Sequence, residues 1–261
     1  MNSILPFFRQ KKIGLALGGG AILGMCHIGV LQAIDELKIP ISCISGTSAG
    51  SLVGVLYASE ITPSQLKRIA LSSHWGLLAR PSLPRRGIFS TEPMEEFLKK
   101  YLDTLQIQEL KIPFSAIAVD AVEGKEIIFR EGYIPTAIRS SCAVPGIFRP
   151  IEQGEMLLID GGIMDNVPVT PVKHLGAEVV IAVSIAPGFN TWKPKNTLEL
   201  ILKSFLLAQL SNSKREMGHA DIIIDIDTKK ISPVDFRSSE ELIEIGYTAG
   251  MKALKENPLI P

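Results

Sequence analysis

The sequence predicts an α/β protein with three layers, in which helices cover both faces of a mostly parallel central sheet. Short apolar, β-branched segments that suit buried strands alternate with longer segments whose apolar residues recur every three or four positions. This alternation is typical of parallel strands joined by crossover helices. The hydrophobic content of 46% and the net charge of zero fit a packed globular domain. They argue against disorder and against a nucleic-acid-binding surface.

The first part of the chain contains two strand-to-helix units. Residues 13–17 are apolar and end in glycines, which predicts a buried strand, and residues 24–37 follow as a helix with apolar residues three apart. Residues 41–45 predict the next strand and residues 49–58 the next helix. Together they predict the start of a parallel sheet.

The pattern weakens after Pro63. Pro81 and Pro84 exclude a long helix within residues 74–89, although this segment is rich in apolar side chains. Two interpretations stay open for it: a mobile apolar flap, or an ordinary loop packed on the core.

The second half of the chain returns to the alternating pattern. Strands are predicted at residues 114–119, 126–130, 156–159, 178–185 and 221–226, and helices at residues 133–142, 197–217 and 240–254. The strands at 178–185 and 221–226 have the β-branched composition of central parallel strands. No repeat or linker interrupts the pattern, so we expect a single domain over residues 13–261 after an N-terminal tail of residues 1–12. Phenylalanines followed by basic residues leave a weak interfacial anchor open for that tail.

The three cysteines have none of the spacings that metal or redox motifs require. Cys26, Cys43 and Cys142 are an odd and widely spaced set, which fits reduced, buried thiols better than a disulfide framework. We therefore expect a cytoplasmic protein without a metal site.

The strongest chemical signal is Gly46-Thr47-Ser48-Ala49-Gly50, which lies where a predicted strand ends and a helix begins. In this setting G-x-S-x-G is typical of a nucleophile elbow, a sharp turn that presents a serine hydroxyl at the edge of the sheet. The N-terminus of the helix would favour negative charge that develops at Ser48. The alternative is a glycine-rich turn with a capping serine.

A second signal is the glycine-rich segment of residues 18–24, directly after the first strand. Such a segment can direct several backbone N–H groups at one anion. A dinucleotide loop would need an acidic residue after the second strand, and a P-loop would need Gly-Lys-Ser/Thr; the sequence has neither. An oxyanion hole formed by Gly19, Gly20 and Ala21 remains, and it would supply what Ser48 lacks for acyl transfer.

A third signal is Asp160, which ends the predicted strand at 156–159 and precedes two glycines. Such an aspartate can project into the crevice at the carboxyl edge of a sheet, although Asp-Gly is also common in turns. Six further glycines are expected to support the three segments: Gly18, Gly24, Gly46, Gly50, Gly161 and Gly162.

The base that would activate Ser48 is left open by the residues alone. His174 or His219 would follow the chain order of an α/β-hydrolase triad, but neither has a distinctive setting. His27 fits a packed position on the first helix, and His74 lies in the weak segment. No metal-binding string such as H-E-x-x-H occurs.

These three segments, in this order, resemble the patatin-like phospholipase family, including its short bacterial members and the catalytic domain of neuropathy target esterase. The matching segments are residues 14–20, 27–31, 46–51, 137–142, 145–146, 160–162 and 165–168. The resemblance implies a patatin-like fold and hydrolysis of lipid carboxylic esters of the phospholipase A or lysophospholipase type. It also implies a dyad of Ser48 and Asp160, without a catalytic histidine and without a cofactor.

Two positions depart from the family pattern. Arg or Lys usually precedes the last glycine of the loop, where this chain has Leu23, and Ala21 replaces a further glycine. A general carboxylesterase or thioesterase therefore stays open, as does a catalytically weak lipid-binding regulatory protein.

The expected partner is a lipid or another acyl ester, reached by transient contact with a membrane surface. One candidate surface is the segment at residues 75–89. A second is an apolar stripe, which is also typical of a core-facing helix. The stripe consists of Leu198, Ile201, Leu202, Phe205 and Leu206.

Overall fold

The described residues are built around a mixed sheet of eight strands, with helices on both sides. The computed structural model describes residues 11–72, 78–83, 86–187, 193–228, 231–233 and 236–260. The strands are β1 (Ile13–Leu17), β2 (Ile41–Thr47), β3 (Arg80–Pro81), β4 (Phe89–Ser90), β5 (Phe114–Asp120), β6 (Lys125–Phe129), β7 (Ile151–Gln153), β8 (Met156–Asp160), β9 (Val179–Pro187) and β10 (Ile222–Thr228). The helices are α1 (Met25–Glu36), α2 (Ala49–Ala58), α3 (Pro63–Ser72), α4 (Glu92–Tyr101), α5 (Ile134–Ser141), α6 (Val169–His174), α7 (Thr197–Met217) and α8 (Ser239–Leu254).

The sheet is mostly parallel, with an antiparallel part at one end. Its strand order is β10-β9-β1-β2-β5-β8-β7, and β6 also pairs with β5. Strands β10, β9, β1, β2 and β5 run in the same direction, whereas β6 and β8 run antiparallel to β5, and β7 antiparallel to β8. Strands β3 and β4 form a separate two-stranded ribbon.

Side-chain alternation along the central strands divides the interior into two layers. On one face, Leu15 of β1 and Ile181 of β9 belong to a large apolar cluster with residues of α1, α2 and α8. On the opposite face, Ala16 of β1 and Ala182 of β9 pack with residues of α6. Successive strand residues point to opposite faces of the sheet, and each set packs against helices. The sheet is therefore covered on both sides, which confirms the predicted three-layer α/β fold.

Most predicted elements are confirmed, and one placement is wrong. The predicted strand at 221–226 corresponds to β10, but β10 lies at the edge of the sheet rather than in its centre. Its residues alternate between buried and exposed, with Ile224 and Ile226 buried and Asp225 exposed. This alternation is expected of a strand that has one face toward the core and the other toward solvent. The sequence analysis also missed α3, α4 and the short strands β3, β4 and β7.

The segment at residues 74–89 is described only in part, since residues 73–77 and 84–85 lie outside the described residues. Leu78 and Phe89 pack toward the interior, whereas Leu83 is 76% exposed. Residues 1–10, which make up most of the predicted tail, also lie outside the described residues, so the division into tail and single domain stays a prediction. Within the described part of the chain, no helix combines the length and the apolar character that crossing a bilayer would require.

The apolar stripe of α7 is mainly a core face. Leu202, Phe205 and Leu206 are buried against Val144, which confirms the packing interpretation for these three residues. Leu198 is 37% exposed and lies at the rim of a cavity described below.

The contact between α1 and α8 gives a test of the packing. A methyl group on Gly29 of α1 would collide with the backbone of α8 at Ile243 and Tyr247. We expect Gly29→Ala to lower the free energy of unfolding by about 1–3 kcal/mol, because the helices would have to separate. Gly218→Ala is the matched control, since its methyl group would meet only ordinary contacts. Urea unfolding measures both, and equal stability of the two variants would contradict the close packing.

Candidate active site

Two strands that meet on one edge of β5 bring Ser48 and Asp160 together. Thr47, the last residue of β2, pairs with Ile117 of β5, and Asp160, the last residue of β8, pairs with the next residue, Ala118. Strand β6 pairs with both Ile117 and Ala118, so it occupies one whole edge of β5 there. Strands β2 and β8 must therefore share the opposite edge of β5. The antiparallel strands β2 and β8 thus end facing each other, and Ser48 follows directly after β2.

Ser48 forms a strained turn between β2 and α2. Its backbone has φ 53° and ψ −125°, a combination that non-glycine residues adopt only when the surroundings hold it. The Ser48 N–H donates to Oγ of Ser141 at 2.9 Å, and the Ser48 carbonyl accepts from Oγ of Ser51 at 2.7 Å. Just before it, Oγ1 of Thr47 donates to the carbonyl of Asp165 at 2.9 Å. These bonds support the nucleophile-elbow interpretation.

The glycines of the three segments lie where neighbouring backbones approach closely. A methyl group on Gly46 would lie 2.6 Å from the carbonyl oxygen of Gly50, and one on Gly161 would lie 2.5 Å from that of Ile117. A methyl group would likewise have a neighbouring atom at 3.0 Å or closer on the others, Gly18, Gly24, Gly50 and Gly162. The glycines therefore allow β2, α2 and the loops around Ser48 to pack together.

Asp160 is fully buried beside the serine. Its Oδ1 accepts from the N–H of Gly162 at 2.9 Å, whereas Oδ2 has no hydrogen bond of standard geometry. Burial raises the pKa of Asp160 to about 7, although interactions with the Ser48 hydroxyl and the Gly162 N–H act in the opposite direction. The Ser48 hydroxyl is thus close enough to influence the ionisation of Asp160, but the two do not form a well-aligned hydrogen bond. Oδ2 of Asp160 is therefore available as an acceptor.

The glycine-rich loop lies against Ser48, since a methyl group on Gly19 would be 3.2 Å from Cβ of Ser48. The Gly19 N–H donates to the carbonyl oxygen and to Oδ1 of Asn166, at 3.2 and 3.1 Å. Among the described residues, the N–H groups of Gly20 and Ala21 have no acceptor. Ala21 has a φ of 52°, a left-handed conformation that favours glycine. Of the three predicted donors, Gly20 and Ala21 therefore have free N–H groups.

Ser48 opens onto an apolar cavity of about 330 Å³. Leu52, Met94, Phe148 and Leu202 contribute to its wall, which brings together residues of α2, α4, α7 and the loop after α5. The volume is at the lower end of the range for small-molecule sites, about 300–1,000 Å³. An apolar group fits this lining better than a charged one.

The described histidines do not hydrogen-bond to the serine or the aspartate. His174 and His219 are exposed, and His174 instead contacts Arg130. His27 is fully buried on α1, as predicted, and its Nε2 lies 2.6 Å from the carbonyl oxygen of Gly18. Burial lowers the pKa of His27 to about 4. His74 lies outside the described residues.

The family pattern has Arg or Lys at the loop position where this chain has Leu23. Leu23 is fully buried in the large apolar cluster and does not line the cavity. The three cysteines are buried and free, as predicted. Cys142 lines the cavity, and burial raises its pKa far above that of an ordinary thiol. It is therefore an inert wall residue rather than a nucleophile.

Several polar residues around the site were not identified from the sequence. Ser141, Asp165 and Asn166 lie within segments that match the family pattern, which is the signal that could have identified them. Burial, reinforced by Glu126 and Glu216, raises the pKa of Asp165 to about 8, and its Oδ1 has no partner. Among the residues that the structure describes, no three His, Cys, Asp or Glu side chains are grouped to hold a metal ion.

Comparison with known proteins finds relatives that are named NTE family proteins and lysophospholipases. An uncharacterised NTE family protein of Mycobacterium tuberculosis is 35% identical over 185 residues, which cover 67% of this chain and 49% of the relative. Lysophospholipase NTE1 of Cryptococcus neoformans is 34% identical over 291 residues, covering 98% of this chain and 18% of the relative. The chain thus spans about half the length of the mycobacterial relative and less than a fifth of the fungal one.

A solved structure gives the same fold. VipD from Legionella pneumophila superimposes with a TM-score of 0.57 at 14% identity, covering 94% of this chain and 67% of VipD. Residues 15–173, more than half of the chain, match the family described as patatin-like phospholipase. The match includes Ser48, Asp160 and the glycine-rich loop, and the chain belongs to the patatin-like phospholipase family.

Proposed function

We propose that this chain is a serine acyl hydrolase that cleaves carboxylic esters of lipids, of the phospholipase A or lysophospholipase type. The observation that carries the proposal is the meeting of β2 and β8 on β5, which puts Ser48 next to a buried carboxylate at an apolar cavity. The relatives named lysophospholipase support the same class of substrate. Ester hydrolysis needs a nucleophile, a base, an oxyanion hole and a site for the acyl group.

Ser48 is the proposed nucleophile and Asp160 its base. A carboxylate with an ordinary pKa near 3.9 is a weak base, but burial raises the pKa of Asp160 to about 7 and brings it closer to the working pH. Asp160 accepts the hydroxyl proton as the Ser48 oxygen attacks the ester carbonyl. It then passes the proton to the departing alcohol, which leaves an acyl-serine.

The second half of the reaction uses the same groups in reverse roles. Asp160 takes a proton from water, the resulting hydroxyl attacks the acyl-serine, and the proton returns to the oxygen of Ser48 as the fatty acid leaves. Charge on the tetrahedral oxygen would be stabilised by the free N–H groups of Gly20 and Ala21. One such donor contributes about 2.7–4 kcal/mol in the transition state.

The cavity is the proposed site for one acyl chain. Its wall is made almost entirely of apolar side chains, so the gain on binding comes from removing hydrocarbon from water. Leu198 at the rim is partly exposed, and we propose that the acyl chain enters there during transient contact with a lipid surface. This preference for a hydrocarbon chain favours a lipid ester over a small polar ester.

Substitution of the two proposed catalytic residues tests the dyad. Ser48→Ala should abolish hydrolysis of a p-nitrophenyl ester, and Asp160→Asn should lower kcat by about 10²- to 10⁴-fold, because the base is lost. A fluorophosphonate probe should label the wild-type protein but not Ser48→Ala. His174→Ala and His219→Ala are the controls. Loss of activity in either folded control would instead indicate a histidine base, and absence of labelling in the wild type would support a non-catalytic lipid-binding protein.

The pH dependence of hydrolysis tests the identity of the base. Asp160 accepts a proton only when it is ionised, so kcat/KM of the wild type should rise with pH and level off above a midpoint near 7. Asp165 is also buried with a raised pKa, but it has no proposed role in the reaction. Asp165→Asn should therefore keep the same midpoint, and a midpoint that disappears in this variant would assign the titration to Asp165.

A cavity-filling substitution tests the acyl site. Met94 is 5% exposed and lines the cavity, so Met94→Trp should lower kcat/KM for a long-chain p-nitrophenyl ester more than for the acetate ester. Met251→Trp is the control, because Met251 is on α8 and does not line the cavity. An equal effect of Met94→Trp on both esters would exclude this cavity as the chain-binding site.

A further inference from the structure

The peptide that joins Gly18 and Gly19 is held at both ends. The Gly18 carbonyl accepts from Nε2 of His27 at 2.6 Å, and the Gly19 N–H donates to Oδ1 of Asn166 at 3.1 Å. The carbonyl and N–H of a trans peptide point in opposite directions. Two partners on opposite sides therefore fix the plane of this peptide.

The orientation of the Asn166 amide follows from its other contact. The Gln209 carbonyl in α7 can only accept, so Oγ of Ser213 donates its single proton to it, at 2.8 Å. Ser213 Oγ must then accept from Asn166, and the Nδ2 group faces it at 2.9 Å. This leaves Oδ1 of Asn166 to face the Gly19 N–H. Asn166 and Ser213 are 3% and 0% exposed, so water does not replace either bond.

His27 is also limited to one arrangement. Because a carbonyl oxygen accepts, the nitrogen that faces Gly18 must carry a proton, which defines the Nε2–H form of the ring. The other ring nitrogen, Nδ1, is buried and has no partner. The low pKa of His27, about 4, keeps the ring neutral near neutral pH.

The held peptide lies directly against the nucleophile and before the free N–H groups. A methyl group on Gly19 would lie 3.2 Å from Cβ of Ser48. Gly20 and Ala21, with the unpaired N–H groups, follow next in the chain. Consecutive glycines do not fix their own backbone conformation, so the direction of the N–H groups depends on the groups that hold the loop, which include backbone carbonyls as well as the side chains of His27 and Asn166.

We propose that His27 and Asn166 are positioning residues for ester hydrolysis: they hold the Gly18–Gly19 peptide so that the N–H groups of Gly20 and Ala21 face the reacting carbonyl, and Ser213 fixes the orientation of Asn166. The inference rests on the proposed hydrolase function. His27 and Asn166 contact the loop, Ser213 contacts Asn166, and none of the three lines the cavity. Their removal should affect the transition state more than substrate binding.

Ser213→Ala is the most discriminating variant, because it removes one hydroxyl and leaves the Gly19 acceptor in place. Ser59 is a matched control, since its Oγ also donates to the carbonyl four residues earlier, at 2.9 Å, but holds no asparagine. On a soluble p-nitrophenyl ester, Ser213→Ala should lower kcat by up to about 100-fold with little change in KM, as expected for a misplaced group. The rate of fluorophosphonate labelling should fall in parallel, and Ser59→Ala should behave as the wild type.

Variants of His27 add a rescue test. His27→Leu removes the donor to Gly18 and should lower kcat, whereas His27→Gln places an amide N–H near the position of Nε2 and should restore part of it. A purely structural role would lower the thermal stability of both variants without this recovery of kcat. Nitrogen-15 NMR of the wild-type His27 ring adds a measurement that needs no variant: Nε2 should be protonated and Nδ1 not.

The outcomes separate this inference from the function on which it rests. A wild-type protein that neither hydrolyses esters nor reacts with the probe would overturn both. An active wild type in which folded Ser213→Ala keeps the full kcat would overturn the positioning role alone. Protonation of Nδ1 instead of Nε2 would do the same, even if the His27 variants fail to fold.

Discussion

The site depends on how strands share the edge of β5. Backbone pairing places Thr47 opposite Ile117 and Asp160 opposite Ala118, so the positions of the proposed nucleophile and of its proposed base are fixed by the register of one strand. Adjacent residues on a strand are separated by about 3.3 Å, a distance that the extended backbone keeps constant. A dyad built in this way does not rely on loop conformation, and groups on rigid elements are held more accurately than groups on loops.

The proposed oxyanion hole is held by a different kind of interaction. Its N–H groups come from a loop whose glycines permit many conformations, and buried side chains from α1 and the segment after β8 set its direction. Helix α7 joins this arrangement through Ser213 and also contributes Leu202 to the wall of the acyl cavity. One helix thus contacts both the loop support and the proposed chain-binding site.

Sequence patterns predicted the parts of the fold that depend on local periodicity. The strand-to-helix unit around Ser48 was predicted because its apolar residues change from strand to helix spacing there. The sequence analysis did not identify helix α4, although Met94, Phe97, Leu98 and Tyr101 have helical spacing. Pro93 lies in the first turn, where proline is compatible with a helix.

The site residues that were missed share a physical reason. Asn166 is 147 positions from Gly19, and Ser141 is 93 positions from Ser48, so these hydrogen bonds leave no periodic trace in the sequence. The same limit applies to the loop itself. The glycines in the sequence show how many backbone N–H groups the loop can offer. The direction of these groups depends on residues far away in the sequence, such as Asn166, which accepts a hydrogen bond from the N–H of Gly19.

The apolar residues that depart from the family pattern also have a physical interpretation. Leu23 is fully buried in the main apolar cluster, and an arginine following the same path would lose the solvation of its charge without a partner. Ala21 faces the cavity with a methyl group at a φ of 52°, which costs backbone strain that glycine would avoid. Ala21 adds a methyl group at a loop position that lines the cavity, whereas Leu23 leaves the loop without the charged side chain of the family pattern and does not line the cavity. The backbone N–H groups are unaffected by either side chain, so the proposed chemistry is retained, while the surroundings of the reacting ester favour hydrocarbon over a charged group.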